Sequence, residues 1–229
     1  MIGRSNDEIS GPWGNQQTLD NCQEIIGSLL TPKQKNILPM VNPLDPKGRI
    51  WMGSYPGDRN QSVAMAKLDV LVNELEIKTF LCLQEQHELD GLLSYLELSK
   101  TVAERADQTL PGFLHFPIAD FSIAEDEKLL SFLNDMLIPQ IEQGSLLPLY
   151  IHCRGGNGRT GTVAALLLSY LYGLDGKEAL EKVSRYHRLR ETPVDTAPET
   201  DQQEEQVIRL APKLNPESKQ RKRLFDRFK

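Results

Sequence analysis

A glycine-rich loop between two apolar segments constrains the fold of this chain more than any other feature. The run LPLYI at residues 147–151 is followed by HCRGGNGRTGT and then by VAALLLSYLYG. This pattern predicts a buried strand, a tight loop and a buried helix. The loop amides and the positive end of the helix dipole then point at one place, so the segment predicts a binding site for a tetrahedral anion.

Apolar periodicity elsewhere predicts short strands that alternate with helices. The domain is expected to begin near Ile50 and Trp51, after the turns of NPLDPKG. The expected strands lie at 78–84, 113–118 and 147–153. The expected helices lie at 62–76, 91–107, 126–144, 177–190 and 198–210, with Pro139 bending or dividing the third one. Alternation of this kind predicts an α/β fold with a central, mostly parallel sheet flanked by helices.

The two ends of the chain differ from its middle. Residues 1–45 contain Gly, Asn, Gln and Pro with one short apolar patch, and we expect a poorly organised N-terminal extension. Residues 46–212 would form the domain that carries the loop, and residues 213–229 a basic C-terminal tail. That tail, with SKQRKRLFDRFK at 218–229, suits contact with anionic lipid or an import signal, but a solvated, frayed terminus is the expectation we prefer.

Composition and charge narrow the classes of function. A formal net charge of -6 with 39% hydrophobic and 25% charged residues is typical of a soluble globular protein and gives no reason to expect nucleic acid. The apolar run 161–174 is too short and too interrupted to cross a bilayer, and the first ten residues lack the apolar core of a signal peptide. The three cysteines, Cys22, Cys82 and Cys153, have no disulfide-like or metal-like spacing, which favours a cytoplasmic location.

The side chains of the loop add chemistry to its shape. Gly155, Gly156 and Gly158 allow a tight turn and close approach of the backbone to a ligand. Arg159 carries a planar fork that can hold two oxygens of a phosphate. The amides and this arginine favour the thiolate of Cys153, which would be a nucleophile beneath a bound phosphorus atom. Cys22 and Cys82 have no such surroundings in the sequence and are interpreted as inert core residues.

The loop resembles the signature HC-x-x-G-x-x-R-[ST]-G of the cysteine-dependent protein tyrosine and dual-specificity phosphatases. The resemblance covers about residues 48–212 and implies the α/β fold of that family with its Cys-x5-Arg phosphate loop and no metal or other cofactor. A cysteine at position 153 does not fit the low-molecular-weight branch, whose cysteine lies near the N-terminus. The residues that match the signature are His152, Cys153, Gly156, Arg159, Thr160 and Gly161.

The resemblance also implies a general acid that protonates the leaving oxygen. In similar enzymes this aspartate lies about thirty residues before the cysteine, after a strand that ends in Pro-Ile. The segment FPIADFSIAEDE places Asp120 33 residues before Cys153. Glu125 and Asp126 are competing acids, and the match of the preceding Pro-Ile favours Asp120.

Three further roles follow from the same resemblance. His152 would organise the loop and lower the pKa of the thiol, or would be a neutral, hydrogen-bonded histidine, and both can hold together. Thr160 would donate a hydrogen bond to the sulfur as it leaves in the second step. Gln203 would position the hydrolytic water, with Gln202 and Gln206 as rivals and a solvated helix face as the alternative.

The remaining loop residues would bind the substrate: Arg154, Gly155, Gly156, Asn157 and Gly158. Arg154 is the only basic residue inside the loop besides Arg159, so we expect it to meet one extra anionic group, unless it pairs with a neighbouring carboxylate. The other histidines have no spacing that suggests a metal site and are interpreted as surface or core residues: His87, His115 and His187.

Together these residues predict a metal-independent phosphomonoesterase that works through a phosphocysteine intermediate. Its expected substrate is phosphotyrosine in a phosphoprotein, with phosphoserine and phosphothreonine as further possibilities. A phosphoinositide or inositol-phosphate phosphatase would use the same loop, and a non-catalytic phosphate-binding module would keep the fold without turnover. The sequence does not indicate an oligomeric state.

Overall fold

The computed structural model describes residues 29–90, 92–193 and 196–214. Its strands are β1 (Asn42–Pro43), β2 (Ile50–Gly53), β3 (Thr79–Cys82), β4 (Gly112–His115) and β5 (Leu149–His152). Its α-helices are α1 (Pro32–Ile37), α2 (Gln61–Asp69), α3 (Gln86–Leu89), α4 (Tyr95–Arg105), α5 (Asp126–Ser131), α6 (Ile138–Glu142), α7 (Gly158–Tyr172), α8 (Gly176–His187) and α9 (Asp201–Leu214). π-Helical turns at Val70–Glu74 and Phe132–Leu137 follow α2 and α5.

The five strands form one sheet in the order β1-β2-β5-β3-β4. Only β1 runs antiparallel to its neighbour, and the other three pairs of strands are parallel. This confirms the predicted α/β fold with a mostly parallel sheet. Strand β5 lies in the middle, so the residues that follow it emerge at the centre of the carboxyl edge, where parallel α/β sheets bind ligands.

The sheet is covered by helices on both faces because alternate residues of each strand point to opposite sides. In β5, Leu149 and Ile151 belong to the core cluster that contains α7, whereas Tyr150 belongs to the cluster on the other face. The first cluster also includes residues of α5, α6, α8 and α9, and the second includes residues of α2 and α4. Strand β5 is therefore buried on both sides, which holds the loop after it firmly.

The predicted helix over 126–144 is divided into three pieces. Helix α5 ends at Ser131, a π-helical turn covers Phe132–Leu137, and α6 starts at Ile138 with Pro139 in its first turn. Proline has no N–H for the hydrogen bond that would join it to the preceding turn, so the regular helix is interrupted before it. The division confirms the expected effect of Pro139.

The helix predicted over 91–107 begins later, at Tyr95. The Ser94 hydroxyl accepts a hydrogen bond from the amide of Glu97 and caps the helix there. No helix in the described part of the chain combines the length and the apolar character that a membrane crossing requires.

The expectation of a poorly organised extension over 1–45 is wrong for its described part, residues 29–45. This segment contains α1 and β1, and Leu30, Leu38, Val41 and Leu44 are buried. Its backbone is tied to the distant end of the domain because the amide and hydroxyl of Thr192 both donate to the Pro39 carbonyl. Sequence periodicity missed it because the helix spans only six residues and β1 only two.

Candidate active site

The catalytic loop, residues 153–157, links the end of β5 to the start of α7. Cys153 is 3% exposed, and its Sγ accepts a hydrogen bond from the Gly156 amide at 3.2 Å. The fifteen-residue helix α7 places its N-terminus directly behind the loop. Partial positive charge from that helix and from the amide therefore faces the sulfur.

Gly156 fits its place because it lacks a side chain. Its φ is +77°, and a Cβ on it would lie 2.2 Å from the carbonyl carbon of Gly53 and 2.5 Å from the amide nitrogen of Ser54. The loop therefore lies against the end of β2, backbone on backbone. The amide of Tyr55 also donates to the Arg154 carbonyl at 3.0 Å, which fixes the first half of the loop to the same segment.

The inner side of the loop is held by the end of α8 and the turn after it. The guanidinium of Arg190 donates to the Gly156 carbonyl at 3.1 Å, to Asn157 Oδ1 at 3.0 Å and to Asn42 Oδ1 of β1. The ring of His187 lies between two carbonyl oxygens, with Nε2 2.9 Å from that of Gly156. Burial lowers the pKa of His187 to about 3, so the ring is neutral at physiological pH.

Arg159 meets two carboxylates at the mouth of the site. Its guanidinium is bidentate to Glu88 of α3 and lies 2.8 Å from Asp120 Oδ1. It also donates to the Ile118 carbonyl at 2.9 Å. Burial alone would raise the pKa of Glu88, but the hydrogen bonds from Arg159 and from the Glu85 amide, together with the charge of Arg159, outweigh it and hold that pKa below the usual range.

Asp120 lies on the loop after β4, with its side chain 45% exposed. The next residue, Phe121, is a 63% exposed aromatic with a φ of +54°, a backbone conformation that is uncommon for residues other than glycine. The two competing acids face other partners: Glu125 pairs with Lys128 at 2.8 Å, and Asp126 pairs with Arg209 of α9. Of these three carboxylates, the structure brings only Asp120 to Arg159.

His152 is fully buried at the end of β5, and its Nε2 lies 2.8 Å from the Tyr95 hydroxyl. Burial lowers its pKa to about 3 despite a weak contact between Nδ1 and the Cys153 carbonyl, so the ring is neutral. This geometry agrees with the interpretation of His152 as a neutral, hydrogen-bonded histidine that fixes the loop.

Thr160 lies in the first turn of α7, and its Oγ1 is buried without a hydrogen-bond partner among the described residues. A buried hydroxyl without a partner costs free energy, and sites of this kind often serve a ligand or a reacting group. Thr160 therefore offers a hydroxyl donor in the first turn of α7.

The three candidate glutamines of α9 have different surroundings. Gln203 is buried, with its amide oxygen accepting from the Glu199 and Thr200 amides and its Nε2 donating to Ser122 in the Asp120 loop. A Cβ on Gly158 would come 2.8 Å from Gln203 Oε1, so this amide borders the catalytic loop.

The rivals of Gln203 lie elsewhere. Gln206 is buried, with Nε2 donating to the Ala124 carbonyl and to Asp126, and Gln202 is exposed. Of these glutamines, only Gln203 contacts both the Asp120 loop and the surroundings of Gly158.

The last residue of the loop and the first residue of α7 contact Glu199, which the sequence did not single out. The Gly158 amide donates to Glu199 Oε2 at 3.0 Å, and Asn157 Nδ2 lies 3.4 Å from Oε1. Arg154 is exposed, and Gly155 is partly exposed. The described ion pairs include none with Arg154, so the alternative of a neighbouring carboxylate gains no support among the described residues.

Sequence reasoning missed Glu88, Arg190 and Glu199. For Glu88 a signal existed: it follows β3, which pairs with β5, and the carboxyl ends of neighbouring parallel strands converge. For Arg190 and Glu199 the sequence offered no comparable signal, because a turn after a helix carries no periodicity.

The remaining cysteines and histidines also have assigned places. Cys22 lies outside the described residues, and Cys82 is a buried residue whose thiol pKa burial raises to about 11. His87 is exposed, and His115 Nε2 lies 2.7 Å from the Gln84 carbonyl. The interpretation of His187 as a core residue agrees with its burial, but this core residue contacts the catalytic loop.

A parallel α/β sheet whose central strand delivers a cysteine into a Cys-x5-Arg loop defines the class of cysteine-based phosphatases. Comparison with known proteins identifies the family within that class. The family model described as the DSP-PTPase phosphatase domain of a Swiss Army Knife protein, PTP-SAK, matches residues 44–211. The chain belongs to this family of dual-specificity, tyrosine-phosphatase-type domains.

Two relatives in sequence come from invertebrate iridescent viruses. Protein 067L of Invertebrate iridescent virus 3, which bears the name of a tyrosine phosphatase, is 37% identical over 110 residues, or 46% of each chain. Protein 197R of Invertebrate iridescent virus 6, named likewise, is 30% identical over 81 residues, which are 35% of this chain and 30% of that protein. The matched segments thus span less than half of either viral protein.

Solved structures share the fold. Tk-PTP in its active form is 28% identical with a TM-score of 0.57, covering 76% of this chain and 97% of that one. Kinase-associated phosphatase with its catalytic cysteine replaced by serine is 21% identical, with a TM-score of 0.55 and coverages of 72% and 86%. PTPMT1 in complex with PI(5)P is 14% identical, with a TM-score of 0.57 and coverages of 78% and 99%.

Proposed function

We propose that this chain is a phosphomonoesterase that removes phosphate from phosphotyrosine in proteins through a phosphocysteine intermediate. The observation that carries the proposal is the convergence of a buried cysteine, a buried arginine and an exposed carboxylic acid at the carboxyl edge of the sheet. Cys153 and Arg159 lie within one loop and helix start, and Asp120 reaches Arg159 from the loop after β4.

In the first step the Cys153 thiolate attacks phosphorus and forms an S–P bond while the bond to the leaving oxygen breaks. The loop amides and Arg159 hold the three equatorial oxygens of the transferring group. Arg159 uses its Nε and the Nη2 hydrogen that faces Asp120, while its other N–H groups stay on Glu88 and the Ile118 carbonyl. Asp120, in its protonated form, gives its proton to the leaving phenolate. The dephosphorylated tyrosine leaves, and Cys153 carries the phosphoryl group.

In the second step water attacks phosphorus and the S–P bond breaks, returning the thiolate and releasing phosphate. Asp120, now a carboxylate, takes the proton from the water, which restores its starting state. The hydroxyl of Thr160 donates a hydrogen bond to the departing sulfur. Gln203 borders the loop beside Gly158 and positions the water.

Two residues favour a phosphotyrosine over a phosphorylated inositol ring. Phe121 presents an exposed aromatic ring next to Asp120, where the leaving group must lie, and an aromatic face packs well on a phenyl ring. Arg154 is the only exposed cation of the loop, which suits one acidic residue beside the phosphotyrosine better than several ring phosphates.

The rival function, hydrolysis of a phosphoinositide, draws its support from the complex of PTPMT1 with PI(5)P. That relative is 14% identical, so the likeness concerns the fold alone. The proposed reaction uses the thiolate and requires no metal or other cofactor. A cytoplasmic location suits it because thiols stay reduced there.

Turnover of a substrate panel tests the function. The panel compares a phosphotyrosine peptide, a phosphoserine peptide, a phosphoinositide and a soluble inositol phosphate, with EDTA present. We expect the highest kcat/KM for the phosphotyrosine peptide, and Phe121→Ala should lower that value more than the value for phosphoserine. A phosphoinositide that turns over much faster than any peptide would move the assignment to lipid substrates.

The intermediate is tested separately. Cys153→Ser should bind the phosphotyrosine peptide without turnover, and mass spectrometry of acid-quenched Asp120→Asn should show a phosphoryl group on the peptide that contains Cys153. A Cys153→Ser protein that keeps more than a trace of the wild-type rate would exclude the covalent mechanism. Wild-type protein without turnover of any substrate would leave the phosphate-binding module as the better description.

A further inference from the structure

Arg190 is a buried arginine whose described contacts include no carboxylate. It is 5% exposed and donates to three neutral oxygens, those of Asn42, Asn157 and the Gly156 carbonyl. Burial lowers its pKa to about 10, so it still carries its charge at neutral pH. A buried charge normally has an anionic partner, because leaving it without one costs free energy.

The group that can supply this negative charge is the thiolate of Cys153. Arg190 and the sulfur of Cys153 are both hydrogen-bonded to the same loop residue. The link between them is the residue Gly156, whose amide donates to the sulfur and whose carbonyl accepts from Arg190. The guanidinium thus contacts the loop through Gly156 and Asn157, and its described contacts differ from those of Arg159.

Glu199 places a carboxylate against Asn157 and the Gly158 amide, so it opposes a thiolate at Cys153. Four other titratable groups near the loop are neutral. Burial holds His152 and His187 neutral with a pKa of about 3 each, and it raises the pKa of Cys82 to about 11 and that of Tyr150 above its usual range. All four are therefore neutral at physiological pH.

Arg159 is charged, but Glu88 and Asp120 offset its charge before any phosphate arrives. Of the two buried arginines that contact the loop in the described part of the chain, Arg190 is then the one that lacks an ion-pair partner of its own, and Arg154 is exposed to solvent.

The hydrogen bonds from Arg190 also orient the loop. In a trans peptide the C=O and the N–H of the next residue point in opposite directions. Because Arg190 draws the Gly156 carbonyl inward, the Asn157 amide points outward, away from Arg190. The same guanidinium holds the Asn157 side chain, which fixes both halves of this peptide unit.

We propose that Arg190 is a positioning residue that keeps Cys153 in its thiolate form by supplying the positive charge behind the catalytic loop. Asn42 of β1 sets the place of that charge by accepting from Nε of Arg190. This inference rests on the proposed function only for the role of Cys153 as nucleophile. It extends the site to a residue that lies before the part of the chain matched by the family model.

The pH dependence of alkylation of Cys153 by iodoacetamide measures the thiolate directly and needs no substrate. Arg190→Met removes the charge and should move the midpoint of the alkylation profile up by about one pH unit, a tenfold loss of thiolate below the midpoint. Arg190→Lys keeps the charge and should keep the midpoint near that of the wild type, while kcat/KM falls because the fork no longer holds Asn157.

Asn42→Asp gives the sharpest test, because it leaves Arg190 in place. The new carboxylate has the shape of the amide, still accepts from Nε and neutralises the guanidinium, although it loses the hydrogen bond from Asn42 Nδ2 to the Pro43 carbonyl. The midpoint should again rise by about one pH unit. If Arg190 only braced the loop, this variant would bind it equally well and leave the midpoint unchanged.

Arg188→Met removes an exposed cation two residues from Arg190 and serves as the matched control, with an unchanged midpoint expected. A midpoint of Asn42→Asp equal to that of the wild type would overturn the proposal, whether or not Arg190→Met folds. Absence of turnover on every substrate together with shifted midpoints would refute the proposed function and leave this inference standing.

Discussion

The catalytic loop lies between two buried arginines whose surroundings are opposite. Arg159, at the mouth, contacts two carboxylates, and one of them, Asp120, is partly exposed. Arg190, on the inner side, contacts only neutral oxygens. The two arginines are similarly buried, but their different partners suit them to two different purposes. In the proposed function, Arg159 binds the incoming phosphate and the charge of Arg190 acts on the sulfur of Cys153.

Arg159→Ala should have the largest effect and define the front of the site. Loss of the fork removes both the binding of phosphate and the stabilisation of the transition state, so kcat/KM for an aryl phosphate should fall by about 10³-fold. Competitive inhibition by inorganic phosphate should weaken in parallel. Equal losses of phosphate binding in Arg159→Ala and Arg190→Met would contradict separate roles, since the two arginines would then act alike.

Asp120→Asn should slow turnover by about 10²-fold for substrates with poor leaving groups and less for activated aryl phosphates. The pH profile of kcat/KM for the wild type should be bell-shaped, with an alkaline limb that reports loss of the proton from the acid. The limb should flatten in Asp120→Asn. Flattening in Glu125→Gln or Asp126→Asn, with Asp120→Asn unaffected, would show that another carboxyl is the acid.

Glu88→Gln should reduce kcat/KM by about tenfold, because a bidentate carboxylate that orients the guanidinium is replaced by a neutral amide. The effect should appear in kcat/KM for all phosphomonoesters alike, and the alkylation midpoint of Cys153 should not rise. Glu97→Gln, which removes a carboxylate paired with Lys100 on the surface of α4, is the control and should behave as wild type. A rise of the alkylation midpoint of Cys153 in Glu88→Gln would show that the surroundings of Arg159 also control the thiolate, which contradicts separate roles for the two arginines.

Asp126→Asn should affect stability slightly and activity not at all. Hydrogen bonds from Arg209 and then from Gln206 lower the pKa of Asp126 to about 2. The folded value lies below the unfolded one, so the ion pair stabilises the protein above about pH 4 and loses this effect as the pH falls towards 2. Because both side chains are partly exposed, the free energy of unfolding should drop by about 0.5 kcal/mol at neutral pH. Denaturant unfolding across the acid range measures the free energies of unfolding of the wild type and of Asp126→Asn, which should converge as the pH falls.

The sequence predicted the elements that depend on local patterns. The strand, loop and helix around Cys153 follow from apolar periodicity and glycine placement, and the parallel sheet follows from the alternation of elements. The front of the site was partly predictable as well, because Asp120 lies in a recognisable segment.

The inner side was not predictable, because its contacts join residues far apart in the chain. Asn42 and Arg190 are separated by 148 positions, and Glu88 and Arg159 by 71. Their turns and short elements carry no period. The ordered structure of residues 29–45 was not predicted for the same reason, since a six-residue helix offers too few turns to show a pattern.

The contact between Gly53 and Gly156 has a consequence for how this sequence can change over generations. Neither residue has a functional group, yet any side chain at 156 would strike the backbone at 53, and any side chain at 53 would come within 2.3 Å of the Tyr150 hydroxyl. Saturation mutagenesis should therefore find both positions as intolerant as that of the nucleophile. In a lineage that lost activity, Cys153 would be free to change long before these two glycines, because the fold would still require the glycines.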